Sequence, residues 1–132
     1  MLGVVIDTNV LVSAILSPGG NPARVLASIF DGKIQLYYSG EIMAEYQEVL
    51  FRNKFGFEEG RVSLILKTLE EFGRLKTLKA STVLLPDETD RVFYDAAKVA
   101  DAFLVTGNLR HYPEEEFIIT PRELMEKMVS KL

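Results

Sequence analysis

Hydrophobic and polar positions follow two distinct periods along the chain. Leu2-Gly3-Val4-Val5-Ile6 is apolar on both alternating faces and ends abruptly at Asp7. Such a run predicts a central parallel strand covered by helices on both sides. Val10 to Leu16 predicts a short buried helix closed by the turn Ser17-Pro18-Gly19-Gly20. Asn21-Pro22 predicts an N-cap with proline at the first helical position, opening a helix to Phe30 that Asp31-Gly32 ends. Ile34 to Tyr38 has strand character. Ser39-Gly40 then leads into a helix with Ile42, Tyr46, Val49 and Leu50 on one face. Arg52 to Gly60 reads as a connecting loop, and Arg61 to Phe72 resumes the helical period through Val62, Ile65, Leu66 and Leu69. A third strand is expected within Thr77 to Leu85, closed by Pro86. The remainder predicts a helix from Thr89 to Ala100, a strand from Ala102 to Val105, a short strand from Phe117 to Ile119 and a final helix from Pro121 to Val129. Strand and helix alternate throughout, so the expected fold class is α/β with a doubly wound sheet. No repeat, low-complexity tract or linker interrupts the pattern, and one domain over residues 1–132 is expected.

Composition narrows the chemistry. With 132 residues the chain can bury a sizeable core without staples. No Cys and a single His, His111, exclude disulfide scaffolds, thiolate nucleophiles and zinc sites built from several Cys or His. A metal, if one binds, is held by carboxylates. The net charge of −4 argues against tight nonspecific nucleic-acid binding through bulk charge, without excluding nucleic acid. The apolar run at Leu2 to Ile6 falls far short of the ~20 residues of a membrane span. With no basic start or longer apolar stretch suited to a signal peptide, the expected address is the cytoplasm, with no membrane partner.

In open parallel sheets the functional crevice lies outside the carboxyl ends of the strands. Those ends carry Asp7, Ser39, Thr106-Gly107-Asn108 and Thr120. Asp7, directly after an apolar strand, is either a buried site carboxylate or the cap of the next helix, a role that Thr8 and Asn9 could equally fill. Of the three glutamates in the helix after Ser39, Glu45 lies on the margin of the apolar face, while Glu41 and Glu48 point away. Glu45 can therefore reach inward, or remain a solvated boundary residue. Asp87, Glu88 and Asp90 stand at a helix start, where free N–H groups favour negative charge. Asp90, nearer the strand ends, is the better site candidate. Asp95 reads as a helix-surface residue, with a supporting role as the alternative.

Carboxylates gathered in this way suit oxygen-only coordination of Mg²⁺ or Mn²⁺, and a cation so held assists hydrolysis of phosphate esters. A haloacid-dehalogenase-type phosphatase would require a second Asp where Asn9 stands. No P-loop or dinucleotide fingerprint is present, and His111 lies in Arg110-His111-Tyr112-Pro113 without a nucleophile elbow.

Val4-Val5-Ile6-Asp7-Thr8-Asn9, Ser39 followed by Glu45, Asp90-Arg91-Val92-Phe93-Tyr94-Asp95-Ala96-Ala97, and Leu104-Val105-Thr106-Gly107-Asn108 together resemble a PIN domain in order and spacing along nearly the whole chain. The likeness is strongest to prokaryotic single-domain PIN proteins such as the VapC-type toxins of toxin–antitoxin pairs. It implies a three-layer α/β/α domain with a central, mostly parallel sheet of four to five strands. It also implies a Mg²⁺- or Mn²⁺-dependent ribonuclease acting on single-stranded or structured RNA. Carried over by position, Asp7, Glu45 and Asp90 form the catalytic, metal-holding cluster. The metal would activate a water for in-line attack on phosphorus, leaving 5′-phosphate and 3′-hydroxyl ends. The fourth metal position falls on Asn108, where many members have Asp, and this neutral acceptor bears on whether a second metal binds. Thr8, Asn9, Ser39, Thr106 and Asp95 are the polar residues placed to support the cluster.

RNA-backbone contacts are expected from Arg52, Lys54, Arg91 and Arg110, and Arg52 to Phe57 mixes basic and aromatic groups in a way compatible with RNA stacking. The resemblance further implies a homodimer and a cognate antitoxin protein as partner, with Met43, Phe51, Phe55 and Phe57 as contact residues unless they complete the core. The alternative function is a catalytically weak or inactive PIN-like module that binds RNA or protein.

Overall fold

The computed structural model describes residues 1–130, so Lys131 and Leu132 of the expected domain lie outside it. Five strands form one parallel sheet in the order β3-β2-β1-β4-β5: β1 (Gly3–Ile6), β2 (Gln35–Tyr38), β3 (Arg74–Leu75), β4 (Phe103–Val105) and β5 (Ile118–Ile119). Six helices connect and cover them: α1 (Thr8–Leu16), α2 (Asn21–Phe30), α3 (Gly40–Leu50), α4 (Glu59–Phe72), α5 (Arg91–Ala100) and α6 (Pro121–Ser130). This is the α/β class expected from the alternating pattern, in the α/β/α layering that the family resemblance implies.

The centre of the sheet follows from the first apolar run. Consecutive strand residues face opposite sides, and Val4, Val5 and Ile6 are all fully buried, so both faces of β1 are covered. β1 pairs with β2 through Val4 and Leu36, and with β4 through Val5 and Leu104. Gly3 is needed where it stands, because a Cβ there would lie 2.7 Å from the Tyr37 ring on the neighbouring strand. Helix α3 is fastened to the end of β1 by Tyr46, wholly buried, whose hydroxyl donates to the Ile6 carbonyl.

Two local expectations are corrected. The third strand is not within Thr77 to Leu85 but at Arg74–Leu75, and residues 76–87 run as an irregular strap. Carbonyls that a ladder would need are taken by a side chain: Arg91 Nη1 donates to the Ser81 carbonyl at 2.9 Å and Nη2 to the Val83 carbonyl at 2.6 Å. The loop from Arg52 to Gly60 holds one 3-10 turn, Asn53–Phe55, and α4 begins inside its expected range, at Glu59. Smaller shifts occur at helix starts. Gly20 rather than Asn21 caps α2, and Thr89 belongs to a 3-10 turn, Glu88–Asp90, that precedes α5. Among the described residues no helix is long and apolar enough to cross a membrane.

Candidate acidic site at the strand ends

The carboxyl ends of β1 and β4, the middle of α3 and the entry to α5 converge on a cleft of about 240 Å³. Asp7, Thr8, Asn9, Glu45, Asp87, Thr89, Asp90 and His111 supply its polar lining, and Arg52, Lys54 and Phe55 form one rim. Asp7, Glu45 and Asp90, far apart in sequence, thus face one space.

Asp7 fills both roles open to it. Its backbone N–H continues the sheet by donating to the Val105 carbonyl at 3.1 Å, while its Oδ1 accepts from the Val10 N–H at 3.2 Å and caps α1. It is 5% exposed, and burial raises its pKa. Hydrogen bonds from Thr106 and Val10, and the nearby His111, work against that rise, whereas Glu45 adds to it. Thr8 does not cap, because its hydroxyl donates to the Glu45 carboxylate. Glu45 is thereby held inward on α3.

Asp90 is the most strained of these groups electrostatically. Burial comes first, followed by the charges of Asp87, Asp7 and Glu45, and together they push its pKa up to about 6 against the opposing effect of His111. Its Oδ2 is a buried atom without a hydrogen-bond partner. His111 Nδ1 approaches to 3.3 Å but lacks the alignment of a hydrogen bond.

Several residues expected at the site lie outside the cleft lining, some of them acting on it from behind. Ser39 is fully buried and caps α3 by accepting from the Ile42 N–H at 3.1 Å. Its contribution is to set the start of the helix that carries Glu45. Thr106 lies beneath Asp7 and accepts from the Asn108 N–H at 3.0 Å. Asn108 itself is exposed and outside the cleft lining, so the structure does not bring it to the three carboxylates. Thr120 caps α6, accepting from the Glu123 N–H at 3.2 Å.

Asp95 is not a surface residue. It is 3% exposed and accepts from the Ser81 N–H at 3.3 Å, which tethers the strap to α5. Arg91 faces the same strap rather than the cleft. All five of its N–H donors are engaged, by the Glu88 carboxylate, the Ser81 carbonyl and hydroxyl, and the Val83 carbonyl. Arg110 lines a separate hollow with Leu109, Tyr112 and Glu115. Of the four basic candidates, Arg52 and Lys54 reach the rim. Arg52 forks onto Glu48 at 2.7 and 3.1 Å, and Lys54 Nζ lies 5.1 Å from the Phe55 ring centroid.

His111, Asp87 and Thr89 were not legible as cleft residues. Asp87 and Thr89 carry a complete helix-start explanation, since Asp87 accepts from the Thr89 N–H at 2.9 Å. His111 reaches the cleft only because the 3-10 turn Leu109–His111 reverses the chain after β4. The one sequence signal was its place a few residues beyond a strand end.

Among the described residues no three His, Asp or Glu side chains already stand in ligating positions around a common point. The donor set still fits a hard divalent cation, because it is carboxylate-based, mutually repelling and includes one buried oxygen with no partner.

A family model for the PIN domain matches residues 3–110. The chain is 33% identical over 108 residues to the uncharacterized protein MJ1680 of Methanocaldococcus jannaschii, covering 80% of this chain and 70% of that one. The crystal structure of PAE2754 from Pyrobaculum aerophilum superposes with a TM-score of 0.64 over 98% of this chain and 90% of that chain, at 12% identity, a likeness of fold. PIN domains are in general nucleases and typically use divalent metals. Because the family match takes in Asp7, Glu45 and Asp90 together with β1, β2 and β4, the chain belongs to the PIN domain family.

Proposed function

We propose that this chain is a metal-dependent endoribonuclease that hydrolyses RNA phosphodiester bonds at the cleft formed by Asp7, Glu45 and Asp90. The carrying observation is the gathering of Asp7, Glu45 and Asp90 in one cleft, where the buried Asp90 Oδ2 accepts no hydrogen bond and has the His111 Nδ1 at 3.3 Å, with Arg52 and Lys54 on the rim. Crowded carboxylates with raised pKa values gain from a cation that neutralises them. Asp7, Asp90 and, directly or through water, Glu45 would hold Mg²⁺ or Mn²⁺. Bound there, a divalent ion supplies charge neutralisation on the phosphate and acidifies a water. The chain's own residues do the rest. Thr106 and the Val10 N–H hold Asp7 in place, Thr8 orients Glu45, and Arg52 and Lys54 attract the backbone. Products would carry 5′-phosphate and 3′-hydroxyl ends.

The proposal extends to a toxin of a toxin–antitoxin pair, working in the cytoplasm as a homodimer with a cognate antitoxin. It is supported by the resemblance to VapC-type proteins and by a groove between α3 and α4 lined by Met43, Phe51 and Leu66. Phe55 and Phe57, by contrast, stack on each other with centroids 5.3 Å apart. The second reading, a catalytically weak RNA- or protein-binding module, is favoured by the position of Asn108 outside the cleft.

Purified protein incubated with end-labelled single-stranded RNA in Mn²⁺, Mg²⁺ or EDTA, beside Asp7→Asn and Asp90→Asn, separates the two. Metal-dependent cleavage lost in both variants supports the nuclease. Equal residual cleavage in all three proteins, or none across several RNAs including tRNA, supports the binding module.

A further inference from the structure

His111 is the only histidine of the chain, and it lines the cleft that holds Asp7, Glu45 and Asp90. Backbone bonds after β4 fix it there. The Thr106 hydroxyl accepts from the Asn108 N–H at 3.0 Å, and the Asn108 carbonyl accepts from the His111 N–H at 3.2 Å. Tyr112, the next residue, is 5% exposed and anchors the turn in the core.

The ring meets Asp90 without bonding to it. Nδ1 stands 3.3 Å from Asp90 Oδ2, yet the two lack the alignment of a hydrogen bond, and that oxygen is buried with no other partner. Two arrangements bring these atoms so close. In one, an imidazolium forms a loose ion pair with the carboxylate. In the other, a neutral imidazole and the carboxylate both turn lone pairs toward a third, positive group. The geometry favours the second. A charge-assisted N–H to carboxylate bond points along its own axis and closes to about 2.7–2.9 Å. Two neighbouring ligands at about 2.1 Å from an octahedral cation stand about 3.0 Å apart and aim at the ion, not at each other.

We infer that His111 is a direct ligand of the divalent cation, binding through Nδ1 beside Asp90 Oδ2, so that the cleft is a mixed nitrogen and oxygen site and not a carboxylate-only one. The inference rests on the metal-dependent reading of the cleft. Asp7 and Glu45 complete the set, directly or through water. The Asp90 oxygen and the imidazole nitrogen find in the same ion the partner that neither finds in the other.

Electron spin-echo envelope modulation of the untagged protein loaded with Mn²⁺ tests it without reference to cleavage, because a chain with one histidine has one source of imidazole nitrogen coupling. Wild type is expected to show the modulation of a Mn²⁺-bound imidazole, and His111→Ala to lose it. In calorimetric titration the Mn²⁺ affinity of His111→Ala falls about tenfold or more, since even groups that only orient a ligand are worth that much. An ion pair would give the opposite sign, because the cation would then have to displace an imidazolium. His111→Ala binding Mn²⁺ as tightly as wild type or more tightly, or wild type binding Mn²⁺ with no imidazole coupling, overturns the assignment of His111 and leaves the metal-dependent reading standing. If the wild type takes up no Mn²⁺ at millimolar concentration, that reading fails and the inference with it.

Discussion

Thr8, the first residue of α1, donates its hydroxyl to the carboxylate of Glu45 in the middle of α3. That bond ties the start of α1 to the helix on the far wall of the cleft. A charge-assisted bond of this kind orients a carboxylate as well as stabilising the fold. Thr8→Val keeps the shape and removes the donor. It is expected to lower the melting temperature by an amount corresponding to about 1 kcal/mol and to reduce RNA cleavage about tenfold. Differential scanning calorimetry beside a cleavage assay checks both, and cleavage equal to wild type would show that Glu45 needs no orientation.

Asp7 joins two functions that substitutions can separate. Asn caps a helix as well as Asp, whereas Ala costs about 1 kcal/mol at that position. Asp7→Asn is therefore expected to melt at or above wild type, since it also removes a charge whose pKa is raised by burial. Asp7→Ala should melt below Asp7→Asn, and both should lose metal-dependent cleavage. Equal melting of the two variants would remove the capping role.

Asp90 gives the fold a pH dependence of defined sign. Its carboxyl holds a proton up to about pH 6 in the folded chain, against an ordinary value of 3.8. The native state thus binds more protons than the unfolded one across that window, and the contribution present below pH 3.8 is lost as pH rises through 6. In EDTA, Asp90→Asn is expected to be more stable than wild type at pH 7. The difference should narrow toward pH 4, and chemical denaturation across that range measures it. Added Mn²⁺ should reverse the order at pH 7, because it stabilises only the protein that binds it.

Under the proposed nuclease function, Arg91 carries structural charge and the rim cations Arg52 and Lys54 carry the charge that meets RNA. Arg91 spends every donor on Glu88, Ser81 and Val83. Arg91→Lys cannot reproduce that fork, so it should loosen the strap and speed proteolysis within 76–87. Arg52→Ala and Lys54→Ala should leave the strap protected and weaken RNA binding. Each is expected to reduce the slope of log affinity against log salt by about 1. Fluorescence anisotropy at several salt concentrations, with limited proteolysis alongside, distinguishes the classes. A loss of salt slope in Arg91→Lys without faster proteolysis would return that residue to the RNA-binding set.

The sequence by itself determined the alternating α/β architecture, the centrality of β1 and a short set of polar residues at strand ends. Those follow from periodicity, because a doubly covered strand must be apolar on both faces and its end is where polar groups become tolerable. It also carried the order and spacing of the family in Asp7, Glu45 and Asp90. It did not separate carboxylates that face a common space from those that serve local structure. Asp95 reads as a helix-surface residue and Arg91 as an RNA contact, yet they clamp a strap whose path depends on contacts between residues 10 or 14 apart. His111 looks like a loop residue, yet one short turn puts it in the acidic cleft beside Asp90. Only the tertiary structure decided these cases, since the direction of a side chain after a strand end is set by the turn that follows and by what is packed against it.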